Sequence, residues 1–291
     1  PESFGVLNYL LAFLFLFSSF SSLGMNPILV NQIIKNKNKN NHICIMNGYY
    51  LRFILSLLNY LIFIFLINIL NENQIYYNYS LIIGTGIIFK SCEVFFSYFE
   101  AKSLSKYIVI SQLIGLTSSA IIIFYIIYKE LDYVYIYYAL VLDIVIVFIL
   151  VNFFYFYKSN DFFITLNLFV LKNIIIKSFP VLISSLSIIL YMRIDQIMIN
   201  TLVDEYNLGI YSVSVRFIEI FHFIPKIIMI SFLPILLLSR KYNIKLLKLN
   251  SVIFKFSLIL MIFIFLGSDF LIPFIFSNTY IDSIATTKIL S

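Results

Sequence analysis

Charged side chains interrupt several long apolar runs of this sequence, where a charge is costly and therefore informative. At the centre of a membrane span, Asp, Lys or Arg costs about 2.5–3.5 kcal/mol on insertion scales. Such residues usually face a wet cavity, an opposite charge or a ligand. Cations there could bind an anionic group, and carboxylates could bind a proton or a metal cation. Our anion-binding candidates are Arg216, Arg193, Lys90, Lys226 and the adjacent Asp195; our ion-coupling candidates are Glu219, Asp143, Glu93 and His222.

The third and fifth runs carry the first of these charges. Lys90 and Glu93 are three residues apart, so they can pair along one helix in a self-neutralising structural contact. Asp143 lies near the middle of its run and has no local partner. A lone carboxylate at that depth indicates a wet cavity, an ion site or a cation on another helix.

The sixth run has a polar stripe. Ser184, Ser187, Tyr191 and Asp195 share one side of a helix, since their spacings follow its period. The stripe therefore should face protein or water rather than lipid. Arg193 is two residues from Asp195 and points to nearly the opposite side. It could lie in an inter-helix contact or reach the outer interface.

The seventh run places four titratable residues on one side of a helix. Arg216, Glu219, His222 and Lys226 are separated by three, three and four positions. A short gap joins this run to the sixth, so Arg216 reaches about the depth of Asp195, and a salt bridge between them is an alternative to a substrate site. His222, in a row with Glu219, could carry a proton near neutrality.

Composition identifies the elements that must position these residues. Apolar residues make up 62% of the 291 positions and charged residues 12%, against about 45–50% and 25% in soluble domains. The apolar residues form runs of the length of a membrane span, about 20 residues. We therefore predict an all-α polytopic membrane protein, with eight spans near Phe4–Met25, Ile45–Leu70, Tyr79–Tyr98, Tyr107–Tyr128, Tyr133–Tyr157, Phe179–Asn200, Leu208–Leu238 and Val252–Phe276. Only a few residues join the fourth span to the fifth, so these two should form a tight helical hairpin.

Charge in the gaps predicts the orientation. One set of alternate gaps holds twelve basic residues and the other set holds one, which places the basic gaps in the cytoplasm. The longest basic gap, from Lys158 to Lys177, has apolar residues at helical spacing, which predicts a short amphipathic helix on the inner surface. The net charge of +6 is thus a membrane pattern, and we expect no nucleic-acid partner.

Enzymatic signatures are missing from the sequence. Gly84-Thr85-Gly86 is a lone Gly-x-Gly inside a run and lacks the Lys-Ser/Thr of a phosphate loop. The two histidines are far apart, and neither metal nor hydrolytic spacing is present. We expect no enzyme activity, no cofactor and no metal site. The function classes that remain are a secondary transporter, a channel and a membrane enzyme with an intramembrane site.

One segment, residues 179–237, resembles a known family. Its characteristic features are Pro180, the run Tyr191-Met192-Arg193-Ile194-Asp195-Gln196, Gly209-Ile210-Tyr211, Arg216, and Pro225 followed by Pro234. The segment is similar to bacterial polysaccharide flippases, the Wzx-like O-antigen transporters of the multidrug/oligosaccharidyl-lipid/polysaccharide exporter superfamily. The opening PESFGVLNY also resembles the start of that family's second helix, and Ser268-Asp269-Phe270 resembles its tenth-helix approach.

The resemblance implies a transporter of twelve or more helices in two lobes, of which this chain is expected to be a fragment truncated at both ends. Residues 1–157 would belong to the N-terminal lobe, 158–178 to a cytoplasmic linker, and 179–291 to the C-terminal lobe. A cationic cavity would take the pyrophosphate of an undecaprenyl-linked oligosaccharide, such as an O-antigen repeat. Transport across the bacterial inner membrane would use alternating access, with H+ or Na+ as a possible coupling ion.

Two other functions are considered with this one. A multidrug efflux antiporter of the same superfamily would carry its cation on Asp143 and Glu93. A membrane polysaccharide polymerase usually has one large outer loop, which this sequence lacks. The chain also departs from the flippase pattern, because many relatives have an arginine just after the second helix, where this chain reads Asn26-Pro27-Ile28-Leu29-Val30-Asn31. A phosphate contact made there must come from another cation.

Overall fold

The computed structural model of the chain describes residues 1–35, 41–70, 73–159, 166–237 and 242–291, with side chains except at positions 222–224 and 226–245. These residues form helices and contain no strand, which confirms the predicted all-α class. The helices are α1 (Glu2–Ser22), α2 (Met25–Lys35), α3 (Asn41–Leu70), α4 (Gln74–Phe89), α5 (Val94–Ala101), α6 (Lys106–Tyr128), α7 (Val134–Ser159), α8 (Leu168–Leu202), α9 (Glu205–Leu237), α10 (Tyr242–Phe276) and α11 (Ser283–Leu290), with 3-10 turns at Lys90–Glu93 and Asn278–Tyr280.

Seven helical segments of the described residues are long and apolar enough to cross a bilayer. They are Glu2–Lys35, Asn41–Leu70, Gln74–Ala101, Lys106–Tyr128, Val134–Ser159, Leu168–Leu202 and Leu246–Phe276. The remaining predicted span corresponds to α9, a helix of 33 residues, and its place in the membrane stays a prediction. Only five residues separate α6 from α7, and these helices pack on each other as the predicted hairpin.

The described residues group into two compact units. One contains Tyr9–Thr201, and the other contains Pro1–Asn8 with Leu202–Ser291. We call them the large unit and the small unit. Helix α1 begins in the small unit and continues in the large one. The predicted lobes and linker, residues 1–157, 158–178 and 179–291, stay a prediction.

Aromatic stacking forms the core of the large unit. Phe95 lies between Tyr49 and Tyr155, with ring centroids 4.9 and 4.2 Å away. Met25 and Leu29 of α2 are buried in the same core. The first span was predicted to end near Met25. In the structure, α2 continues it to Lys35 and thereby contributes to this core.

The first span bends between α1 and α2. Leu23 and Gly24 have φ of 49° and 64°, in the left-handed region that glycine adopts without steric cost. A side chain at Gly24 would also meet the backbone of Val181 and Leu182 in α8 at 2.9 and 2.8 Å. The bend therefore lets α1 approach α8 closely.

Helix α8 begins earlier in the chain than the predicted sixth span, which starts at Phe179. The Asn167 side chain accepts hydrogen bonds from the backbone N–H groups of Phe169 and Val170, which caps the helix at that point. From Leu168 it runs without a break through Pro180 to Leu202. Residues 168–177, part of the segment predicted to lie on the inner surface, form the first turns of α8, and their place at that surface stays a prediction. Phe162 and Phe163, part of the same pattern, lie outside the described residues.

The small unit joins α9, α10 and α11. The Ser214 hydroxyl of α9 donates a buried hydrogen bond to the carbonyl of Ser283 at 2.9 Å. Lys288 of α11 pairs with Asp269 of α10 at 2.6 Å. Gly5 and Gly209 allow the chain start and α9 to pack closely, because an added Cβ at Gly5 would overlap the Glu205 carbonyl.

Glycine contacts give a test of the packing. An added Cβ at Gly84 would lie 2.8 Å from the Phe63 ring, whereas at Gly267 it meets only Leu271 of its own helix, at 3.2 Å. Replacing glycine by alanine inside a helix normally stabilises by about 0.5–1 kcal/mol, but overpacking costs about 1–3 kcal/mol. We expect Gly84→Ala to lower the melting temperature of the detergent-purified protein and Gly267→Ala not to. Equal melting temperatures for the two variants would contradict the close contact of α3 and α4.

Candidate functional site

The third span changes helix type where its charges lie. Lys90–Glu93 forms a 3-10 turn between α4 and α5, and residues i and i+3 eclipse in a 3-10 helix. Lys90 and Glu93 nevertheless form no ion pair with each other within the described part of the chain. Glu93 instead pairs with Arg52 of α3, at 2.5 Å between Oε2 and Nη2. The predicted self-neutralising contact is therefore wrong.

Arg52 is an almost fully buried cation, with 1% of its side chain exposed, against 32% for Glu93. Its Nε and Nη1 atoms have no hydrogen-bond partner among the described residues. A buried arginine left without its carboxylate would be an uncompensated charge, which is strongly destabilising. The contact with Glu93 is therefore what allows Arg52 to occupy the interior of the large unit.

Two further cations meet at one aromatic ring of α1. The ammonium of Lys90 lies 4.6 Å from the centroid of Phe15, and the guanidinium carbon of Arg193 lies 5.1 Å from it. The two positive groups are thus within about 10 Å of each other. An aromatic face attracts a cation by about 0.5–2 kcal/mol. The ring consequently holds two basic groups from different spans at one place in the large unit.

A cavity of about 340 Å³ opens beside the 3-10 turn. Its polar lining comes from Lys90 and Glu93 of the turn, Gln112 of α6 and Asp143 of α7. Apolar residues of α5, α6 and α7 form other parts of its wall. The structure therefore brings three predicted residues, Lys90, Glu93 and Asp143, around one space.

Asp143 owes its position to a glycine. An added Cβ at Gly115 of α6 would overlap the Asp143 Oδ1 atom and lie 3.0 Å from Val147. The absence of a side chain at Gly115 therefore lets the carboxylate pack against α6 at the cavity wall. In this structure the Lys90 ammonium lies over Phe15 and is not ion-paired with Asp143.

The small unit has its own cation. Arg216 donates two hydrogen bonds to the Asn8 Oδ1 atom, at 3.1 Å from Nε and 2.8 Å from Nη2. Its guanidinium also lies 5.5 Å from the centroid of Phe4. Asn8 is 3% exposed and donates to the Phe4 carbonyl, so its own orientation is fixed. The amide thereby orients the Arg216 guanidinium.

The other predicted site residues are only partly described. The side chains of His222 and Lys226 lie outside the described residues. Glu219 is half-buried on α9. Asp195 accepts a hydrogen bond from the Gln196 backbone at 2.8 Å, and its salt bridge to Arg216 stays a prediction.

The predicted stripe of α8 is exposed. Ser184 and Ser187 donate hydrogen bonds to backbone carbonyls of their own helix, and Tyr191 is 85% exposed. The serine hydroxyls therefore have partners without help from another helix. That the stripe faces protein or water rather than lipid stays a prediction.

Sequence reasoning missed three residues of these arrangements. Arg52 lies inside the second span and is an intramembrane cation, so a search for charges in every run would have found it. Asn8 and Phe15 carry no such signal. An asparagine and a phenylalanine are ordinary in a span of this composition, and only the fold brings them to Arg216, Lys90 and Arg193.

Helical segments long and apolar enough to cross a bilayer, which carry the buried Arg52 and the partly exposed Lys90 and Arg193, are typical of a polytopic membrane protein. A family model described as polysaccharide biosynthesis protein matches residues 1–236, and the chain belongs to that family. This confirms the resemblance found in the sequence. A search of curated proteins and a search of solved structures found no match.

The pair of Arg52 and Glu93 can be tested by stability. We expect Arg52→Met to destabilise the protein by about 3–5 kcal/mol, because it leaves a carboxylate without its partner inside the span. The double variant Arg52→Met/Glu93→Gln should recover a large part of that loss, since neither charge remains. Unfolding of the purified protein in mixed micelles measures both. Additive effects of the two substitutions would show that the pair is not coupled.

Proposed function

We propose that this protein is a flippase that translocates an undecaprenyl-pyrophosphate-linked oligosaccharide, an O-antigen or similar repeat unit, across the bacterial inner membrane by alternating access. Membership of the polysaccharide biosynthesis family supports a glycan-related role. The observation that carries the proposal is the meeting of Lys90 and Arg193 at the ring of Phe15.

Two cations beside one ring match the two phosphate groups of a diphosphate better than they match an anion with a single charge. Each phosphate offers several acceptor oxygens, and charge-assisted hydrogen bonds from Arg and Lys to phosphate are among the stronger ones in proteins. Arginine can bind two oxygens at once, whereas lysine acts as a point charge. We assign the pyrophosphate to Arg193 and Lys90, and we assign Arg216, oriented by Asn8, as a further phosphate contact in the small unit.

Efflux of cationic drugs is less well supported by the same contacts. That function would need free carboxylates at Glu93 and Asp143. Glu93 is ion-paired with Arg52, so one of the two charges is already compensated. The proposed flippase needs no enzymatic step and no cofactor, because it moves its substrate without changing a covalent bond.

Complementation tests the proposal in cells. The full-length gene is placed in a strain that lacks its own O-antigen flippase, and surface polymer and lipid-linked precursor are followed. Wild type should restore the polymer. Lys90→Gln, Arg193→Gln and Arg216→Ala should each accumulate precursor, because losing a charge-assisted hydrogen bond of about 1.5–3 kcal/mol weakens binding about tenfold or more.

Two further variants serve as a position test and a control. Phe15→Leu keeps both cations but removes the ring that holds them, so it should also reduce export. Lys288→Gln removes a cation of an exposed ion pair with Asp269 and should export normally, since exposed pairs contribute little. Failure of wild type to rescue, with membrane insertion confirmed and the matching repeat unit supplied, would contradict the flippase.

A further inference from the structure

Two lysines of neighbouring helices share one aromatic ring at the open end of the α6–α7 hairpin, opposite its connecting turn. The Lys158 ammonium of α7 lies 5.7 Å from the ring centroid of Tyr107 in α6 and 5.4 Å from that of Tyr157. The Lys106 ammonium of α6 lies 5.2 Å from the Tyr107 centroid. Tyr107 itself packs against Phe154 of α7. The packing of the hairpin therefore brings two cations together at one ring.

The positive charge of this end of the hairpin is accessible from outside the protein. Lys106 and Lys158 are exposed, as is Lys102, which lies over Tyr98 at the end of α5. None of the three lysines is ion-paired within the part of the chain that the structure describes. An aromatic ring attracts a cation without removing its charge. All three belong to gaps that the charge pattern places in the cytoplasm, so they form a basic patch predicted at the inner membrane surface.

Exposed apolar side chains continue from this patch along α7. Phe153 and Tyr157 are 61% and 68% exposed, and their rings stack with centroids 6.2 Å apart. Ile149, one turn further along the helix, is 57% exposed. Residues four positions apart lie on the same face of a helix. This face of α7 therefore presents an apolar strip that begins beside the cations and runs toward the middle of the span.

We propose that the open end of the hairpin binds one anionic phospholipid, with its phosphate at Lys106 and Lys158 and an acyl chain along Phe153 and Ile149. Lysine donates charge-assisted hydrogen bonds to phosphate, and basic residues at a membrane surface attract lipids of net negative charge. The charges therefore favour an anionic over a zwitterionic lipid. The apolar strip favours a lipid over a soluble phosphate ester. The inference goes beyond the flippase function and does not depend on it.

The opposite end of α6 provides a matched control. There the Lys129 ammonium lies 5.7 Å from the ring centroid of Tyr128, which is 73% exposed and thus comparable to Tyr157. Only one lysine is present at this end, and Glu130 and Asp132 follow it closely in the sequence. This end consequently has a similar pair of lysine and tyrosine but no excess of positive charge, so it should not select an anionic lipid.

Tryptophan fluorescence can report on the lipid at each end separately, because none of the 291 residues is a tryptophan. Tyr157→Trp places a reporter in the proposed site, and Tyr128→Trp places one at the control end. Each is made in the full-length protein, with any tryptophan beyond these residues replaced by phenylalanine. The purified proteins are reconstituted in phosphatidylcholine, and brominated phosphatidylglycerol or brominated phosphatidylcholine serves as the quencher. The ratio of the two quenching curves gives the preference for anionic lipid at each reporter.

With the Tyr157→Trp reporter we expect phosphatidylglycerol to be preferred by about fivefold or more, since one lysine at a membrane surface favours an anionic lipid by about that factor. Adding Lys106→Gln and Lys158→Gln should lower the preference to about one, and either substitution alone should lower it in part. Lys129→Gln should leave it unchanged. The Tyr128→Trp reporter should show a preference close to one. Quenching by brominated phosphatidylcholine should be the same with and without the lysine substitutions, which shows that the variants are inserted.

Three results would overturn the inference. Equal preferences at the two reporters would show a general attraction of the protein for anionic lipid and no site at the open end of the hairpin. An unchanged preference after loss of both lysines, singly or together, would show that they do not hold the headgroup. Loss of the preference when soluble glycerol phosphate is added at constant ionic strength would show that the two cations take a free phosphate ester, and that the apolar strip contributes nothing.

Discussion

The cost of an uncompensated charge inside a membrane span constrains the interior of this protein. Two forms of compensation are seen among the basic side chains of the large unit. The Glu93 carboxylate neutralises Arg52, while Lys90 and Arg193 share the ring of Phe15. A ring lowers the cost of a cation without removing its charge.

Local backbone geometry determines which partner each charged side chain can reach. In an α-helix, positions i and i+3 differ by about 60°, whereas in a 3-10 helix they eclipse. The turn at Lys90–Glu93 therefore directs both side chains toward the same cavity. Glycines act alongside it, since Gly86 and Gly115 leave the space that Ile144 and Asp143 of α7 occupy. Helix α7 can thus approach α4 and α6 closely enough to bring its carboxylate to the cavity.

The sequence predicted the helical class, the hairpin of α6 and α7, and the charged residues of interest, because apolar runs and costly charges are local signals. It did not predict which side chains these charged residues contact. Lys90 and Glu93 look like a pair at helical spacing, yet Glu93 contacts Arg52, 41 positions earlier. Asn8 and Arg216 are 208 positions apart. Contacts of this separation depend on which helices pack together. The start of α8 at Leu168 was not predicted, because the amphipathic pattern of residues 168–177 fits a separate helix and the first turns of a longer one equally well.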